Sequence, residues 1–241
     1  MQLSNTKKIL IFGAGHGLGL GLTKAALKNT QARIIALYHR EENAYDLLAI
    51  NNENLETQKI DVFNENALSG LSKKHQDIDV MINTIGFLHN DKIQPEKSLR
   101  DINVDNMLFA FKVNTLVTPL LLKHFKDSFT DNSAYMVLGA MVGSISDNQM
   151  GGWYGYRSSK SALNMIIKNI DIEFQRSKRK TRILCFHPGT TETNLSKPFL
   201  AGIKHKVWQV DEAGENLLSL IEKVYDKKDL FYFWDGSVLP W

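Results

Sequence analysis

Residues 7–22 read KKILIFGAGHGLGLGL: an apolar run stops at a glycine, and glycine then recurs at every second position from 13 to 21. So short a run is too brief for a helix and suits a buried strand. Glycines directly after a strand let the backbone turn and approach a ligand closely. The helix that follows offers unpaired N–H groups and the positive end of its dipole, a natural seat for a pyrophosphate. The pattern G-x-G-x-x-G does not fit, because no register ends on glycine and the first three end on leucine. G-x-x-x-G-x-G fits at Gly13, Gly17 and Gly19, and again at Gly15, Gly19 and Gly21. The first register is preferred because the apolar run ends at Phe12, where the turn must begin; His16 and Leu18 lie inside it. A glycine-rich turn packed for its own sake is the alternative.

The same rhythm continues down the chain. KKILIFG, ARIIALY, NLETQKIDV, DIDVMINTIG, SAYMVLGA, TRILCFHPG and DLFYFW read as strands. Helical patterns lie near 17–29, 43–51, 64–75, 103–128, 155–177 and 211–225. This alternation predicts an α/β fold: one doubly wound, Rossmann-type domain over 1–241, with a parallel sheet of six or seven strands and helices on both faces. No apolar run reaches about 18 residues, so no membrane span is expected, and the glycine-broken N-terminal run reads as a strand rather than a leader. Cys185 is the only cysteine, which excludes an internal disulfide and a cysteine-rich zinc site. The seven histidines show no metal-ligand spacing, so a cytoplasmic chain without a structural metal is expected. The net charge is a mild +3, and the basic run Arg176–Arg182 falls where a helix should end. No aromatics interleave it, so no nucleic-acid partner is expected.

Three places carry candidate chemistry. The second strand ends ALYHR; Tyr38 stands about where an acid would select a free ribose hydroxyl, and His39 and Arg40 follow. With His16, they favour the 2′-phosphate of NADP(H) over NAD(H), unless His39 and Arg40 are merely solvated turn residues. In YGYRSSK, Tyr156 and Lys160 are four residues apart and share a helix face, about 40° apart, whereas Tyr154 lies roughly 120° away. The 103–128 helix carries Asn114 in an apolar stretch and Pro119 five residues on, which predicts a bend.

Taken in order, these elements resemble the short-chain dehydrogenase/reductase family over nearly the whole chain. GAGHGLG resembles its TGxxxGxG, with Phe12 in place of threonine. Asp61-Val62 resembles the pair that holds the adenine, and Asn83 to Gly86, NTIG, resembles NNAG. Asn114 resembles the helix asparagine, and YRSSK the YxxxK pair. PGTTET, with Pro188, Gly189 and Thr193, resembles the PGxxxT stretch beside the nicotinamide. GSISDNQMGGWYGYRSSKSALN and the ending DGSVLPW look like the branch with the bacterial C-factor and carbonyl reductases.

The resemblance implies an oxidoreductase moving a hydride between a nicotinamide cofactor and a small carbonyl or alcohol. Tyr156 would be the acid/base, Lys160 the cation beside it and a ribose contact, and Asn114 the holder of a water leading to solvent. It also implies a homodimer or homotetramer built on the two long helices. One piece is missing: aligning AMVG with the family's S-x-x-G puts Ala140 where a serine polarises the carbonyl. Ser144 lies about 13 Å further on if the chain stays extended, and a turn through Gly143 would bring it back. It is either a catalytic replacement or a plain loop serine. Ala140 also leaves open an NADP-binding sensor or signalling protein with weak or no turnover. Residues 190–208 fall between a strand and the last long helix, as a substrate lid would.

Overall fold

The computed structural model describes residues 1–241. Seven strands alternate with helices: β1 Lys8–Phe12, α1 Gly17–Asn29, β2 Arg33–Tyr38, α2 Tyr45–Leu48, β3 Leu55–Lys59, α3 Glu65–Lys74 and β4 Ile78–Asn83. The second half holds α4 Val104–Phe111, α5 Val117–Phe125, β5 Phe129–Leu138, α6 Tyr154–Arg176, β6 Arg182–His187, α7 Val210–Val224 and β7 Phe231–Phe233. The sheet order is β3-β2-β1-β4-β5-β6-β7, and every pair is parallel. β1 and β4 are neighbours from the two halves, and a doubly wound sheet opens its ligand crevice where the order reverses. The glycine turn after β1 and Thr84–Gly86 after β4 flank that point.

Both sheet faces are buried, as an all-parallel sheet requires. On one side Ile9, Ile11 and Ile34 pack with Leu22, Leu217 and Ile221 of α1 and α7. On the other, Leu10, Phe12 and Met81 pack with Leu68, Leu121 and Ile167 of α3, α5 and α6. The glycines beyond the turn serve this packing. A Cβ on Gly214 of α7 would lie 2.3 Å from the Gly21 carbonyl carbon, and one on Gly21 would lie 2.4 Å from the Val210 oxygen.

The 103–128 helix differs in kind from the expected bend. It runs as α4, a π turn over Lys112–Leu116 and then α5. Pro119 has no N–H for the carbonyl four residues back, Thr115, which lies inside the π turn. A π turn reaches for the fifth N–H instead of the fourth, so the proline is absorbed by widening the helix. The 43–51 helix shrinks to four residues after a 3₁₀ turn at Glu41–Asn43, and the last strand shortens to Phe231–Phe233.

Gly214→Ala is expected to destabilise the chain by roughly 1–3 kcal/mol, because backbone must move to admit the methyl. Gly70, inside α3 with open space around it, is the control: Gly70→Ala is expected to stabilise by about 0.5–1 kcal/mol. Urea unfolding of the two variants checks both signs.

Candidate active site

The start of α6 is held from outside the helix. Trp153, its N-cap, has left-handed backbone (φ 50°, ψ 44°) and makes no side-chain cap. Its N–H donates to the Glu96 carbonyl at 2.5 Å, and the Gly155 N–H donates to Glu96 Oε2 at 3.0 Å. Glu96 is buried, and an anion at a helix N-terminus opposes the dipole favourably. Two adjacent groups of one loop residue thus fix the turn that carries Tyr156.

Lys160, one turn on, is buried with its Nζ donating to the Leu138 carbonyl at 2.8 Å. It lies 5.9 Å from the Tyr156 ring centroid. Burial pushes the Tyr156 phenol up to about 12 and brings the Lys160 ammonium down to about 8. Gly143 makes room for this lysine: a Cβ there would sit 2.8 Å from the Lys160 Cβ.

Asn114 and Gly86 meet Lys160. A Cβ on Gly86 would lie 3.7 Å from both Asn114 Oδ1 and Lys160 Nζ. Asn114 Oδ1 accepts from the Phe87 N–H at 2.7 Å, while Nδ2 donates to the Phe87 carbonyl at 2.8 Å and to Ser159 Oγ at 3.0 Å. The side chain is therefore occupied in tying the π turn to α6 and to the loop after β4.

The glycine turn shows why the first register matters. Gly13 has φ +82° and Gly17 φ +55°, where any side chain is strained. A Cβ on Gly19 would fall 2.1 Å from the Gly13 oxygen, so α1 starts hard against the turn. Thr84 Oγ1 donates to the Phe12 carbonyl at 2.8 Å and reaches the Gly13 carbonyl at 3.2 Å, stapling the turn to the end of β4. α1 has no side-chain N-cap, which leaves its first N–H groups open to a ligand. His16 is that uncapping N-cap residue, Leu18 packs partly against the core, and Gly17 meets Thr193. These residues fit a dinucleotide: the backbone is bare where the phosphates would lie.

The remaining candidates divide by position. His39 and Arg40 are exposed after β2. Asp61 is exposed and accepts from the Phe63 N–H at 2.9 Å, and Val62 is buried against the core. Asn83 is buried, accepts from the Ile85 N–H at 3.0 Å and donates to Thr118 Oγ1 at 3.2 Å, so its side chain serves the frame. Pro188 follows β6, and Gly189 (φ +74°) packs under Trp208 and Trp234. The chain does not stay extended after β5 but turns at Met141–Gly143. It leaves the buried Ser144 Oγ beside Ser146 Oγ at 3.4 Å and the Asp147 N–H at 3.3 Å. Within 190–208, Phe199 packs edge-on to Trp153 (4.9 Å between centroids) and to His89 (5.4 Å), and Trp153 does the same to Tyr156 at 6.1 Å. Thr84 and Glu96 escaped the sequence reading. Thr84 registers there only as a departure from NNAG, and Glu96 follows Pro95 in a loop with no local signature.

Residues 7–203 match the sequence profile described as short chain dehydrogenase. The chain belongs to the short-chain dehydrogenase family. Among its relatives, a benzil reductase ((S)-benzoin forming) of Saccharomyces cerevisiae is 29% identical over 202 residues, 79% of this chain and 74% of that protein. The C-signal of Myxococcus xanthus is 25% identical over 149 residues, 60% of this chain and 84% of that protein. The carbonyl reductase Sniffer of D. melanogaster superposes with a TM-score of 0.84 at 26% identity, covering 98% of this chain and all of that one. An NADPH-bound carbonyl reductase from chicken fatty liver shares the fold with a TM-score of 0.83 at 21% identity, covering 98% of this chain and 99% of that one. The family and the branch expected from the motifs are both found, and the chain is a family oxidoreductase.

Glu96→Ala removes a charged hydrogen bond from a buried helix end and is expected to cost roughly 2 kcal/mol of stability. Glu96→Gln keeps an acceptor and should recover about half of it. Thermal and urea melts of the pair check the ordering.

Proposed function

We propose that this protein is an NADP(H)-dependent carbonyl reductase in which Tyr156 is the proton donor. The observation that carries it is the convergence of Tyr156, Lys160, Asn114 and Gly86 beside an uncapped, glycine-floored helix start. Gly13, Gly17 and Gly19 would receive the pyrophosphate with the first N–H groups of α1, near His16 and Leu18. Asp61 and Val62 would flank the adenine, Asn83 and Gly86 would back the cofactor, and Pro188, Gly189 and Thr193 would run along the nicotinamide. Arg40 is an exposed cation and His39 an exposed imidazole donor where the ribose 2′-position would lie, while the nearby Glu41 is drawn to Lys59 at 3.2 Å. That balance favours the 2′-phosphate.

When bound, NADPH would supply the hydride that reduces the carbonyl carbon. Tyr156 gives its proton to the carbonyl oxygen; with the phenol near 12 that proton is present at any physiological pH. The phenolate left behind is stabilised by the Lys160 ammonium, which Leu138 holds in place. The Asn114 side chain is already committed, so a water it shares with Lys160 would use its backbone carbonyl within the π turn. Residues 190–208 act as the lid, with Phe199 and Trp153 forming an aromatic wall over Tyr156. The wall suits an apolar or aromatic carbonyl, in keeping with the benzil reductase among the relatives. We also infer a homodimer or homotetramer, supported by the exposed Val104, Leu108 and Leu116 along the α4–α5 rod.

The second reading is a nicotinamide-binding sensor with weak turnover. Ala140, which has no donor at the family's serine position, favours it, as does the C-signal among the relatives.

NADPH consumption against a panel of aldehydes and ketones that includes benzil separates the two. Turnover that Tyr156→Phe lowers about 10²-fold or more supports the reductase. NADPH binding without turnover, restored by Ala140→Ser, supports the sensor. For a reductase, the rate of reduction is expected to fall as pH rises through about 8, where Lys160 loses its charge while Tyr156 stays protonated. Profiles of kcat from about pH 6 to 10 check this. Lys160→Met should lower kcat about 10²-fold and flatten that limb.

A further inference from the structure

His187 ends β6 at the open edge of the sheet. Its Nδ1 is sealed from solvent without a hydrogen-bond partner, and so is Thr191 Oγ1 four residues on. Buried polar atoms nearly always find a partner. One of these atoms ends β6 and the other lies in the loop behind it, so both stand unpartnered at the edge of the sheet where a parallel α/β fold binds its ligands.

The register places this histidine beside the missing donor. Leu138 of β5 pairs with Phe186, and the Gly139 N–H donates to the Phe186 carbonyl at 2.9 Å, so His187 runs alongside Gly139, next to Ala140. Alternation along β6 turns Cys185 and His187 to one face of the sheet. Cys185 Sγ lies on the α6 side, 3.9 Å from Asn164 Oδ1, and His187 follows it one step nearer the edge. Its ring rests 5.2 Å from that of Phe233. Burial, with the neighbouring His205 and Lys160, pushes the imidazole down to about 4. The ring is therefore neutral at working pH, with one N–H and one lone pair.

We propose that His187 donates a hydrogen bond from Nδ1 to the substrate carbonyl oxygen, making the contact that Ala140 cannot make. The proposal rests on the carbonyl-reductase function above. The imidazole keeps its proton throughout; Tyr156 delivers the one that ends on oxygen. The bond strengthens as negative charge gathers on that oxygen, and this lowers the barrier rather than merely tightening binding.

The test compares wild type with His187→Ala, His187→Asn and the double variant His187→Ala/Ala140→Ser. It reads kcat and KM for one ketone, NADPH affinity by fluorescence titration, and the melting temperature. His187→Ala is expected to lower kcat about 10²- to 10³-fold with KM and NADPH affinity little changed. His187→Asn, whose amide nitrogen reaches the place of Nδ1, and the serine of the double variant should each restore much of the loss. If kcat of His187→Ala stays within about twofold of wild type, the proposal is overturned. A loss that neither partner substitution restores marks a packing role and overturns it as well. Wild type that binds NADPH yet turns over no carbonyl overturns the reductase function itself, and this proposal with it.

Discussion

A buried ammonium held by one carbonyl organises the site. Lys160 lies inside the protein with Leu138 as its hydrogen-bond acceptor, and a buried charge is tolerated only where its surroundings are shaped for it. The loop after β5 shows that shaping. Gly143 presses its bare Cα against Lys160, and its carbonyl accepts from Ser161 Oγ at 2.6 Å and Asn164 Nδ2 at 3.4 Å. Glu96 fixes the preceding turn of α6 from the other side. Burial disfavours the charged forms of both members of the pair: it raises the phenol of Tyr156 and lowers the ammonium of Lys160. A phenolate formed beside the ammonium would compensate both penalties at once, so proton loss from Tyr156 is easier in the pair than either group suggests alone.

The alternating glycines from 13 to 21 divide their labour, which explains why two motif registers coexist in one stretch. Gly13 and Gly19 meet each other and Thr84 in the turn. Gly17 takes a left-handed φ at the first position of α1, against Thr193. Gly15 lies under Tyr38 and the Asn43 carbonyl, and Gly21 lets α7 approach α1. The second register is thus mostly close packing, while the first shapes the backbone at the crevice. An unaided pattern match cannot separate them, because both uses demand a residue without Cβ.

Much of this was legible in the sequence. The βα alternation specified a parallel sheet, and the four-residue spacing put Tyr156 and Lys160 on one face, because both depend on local periodicity. Pro119 announced a disturbance of the helix but not its form; whether a helix bends or widens depends on what it packs against. Here Thr115 Oγ1 donates to the Ser159 carbonyl and Asn114 bridges to Phe87, anchoring the widened turn. Glu96 was illegible, because its partners are 57 and 59 residues away and no short-range pattern ties a loop carboxylate to a distant helix end. Thr84 was visible only as a mismatch to the family motif, although its hydroxyl staples the turn.

The loop after Ala140 bears on where a replacement donor can come from. Its 3₁₀ turn does reverse the chain, as Gly143 allows, but the Ser144 hydroxyl is turned toward Ser146 and Asp147. Ser146 is committed in turn, its Oγ donating to the Trp241 carbonyl at 2.9 Å while the Trp241 ring stacks on Phe231. Ser144 thus bonds within the loop, and Ser146 ties the loop to Trp241, whose ring rests on β7. Bringing Ser144 to the Tyr156 hydroxyl would break those bonds and draw a buried side chain out of its place. A donor for the substrate is therefore better sought on an element that already ends at the crevice with an unpaired polar atom, and β6 with the loop behind it is such an element.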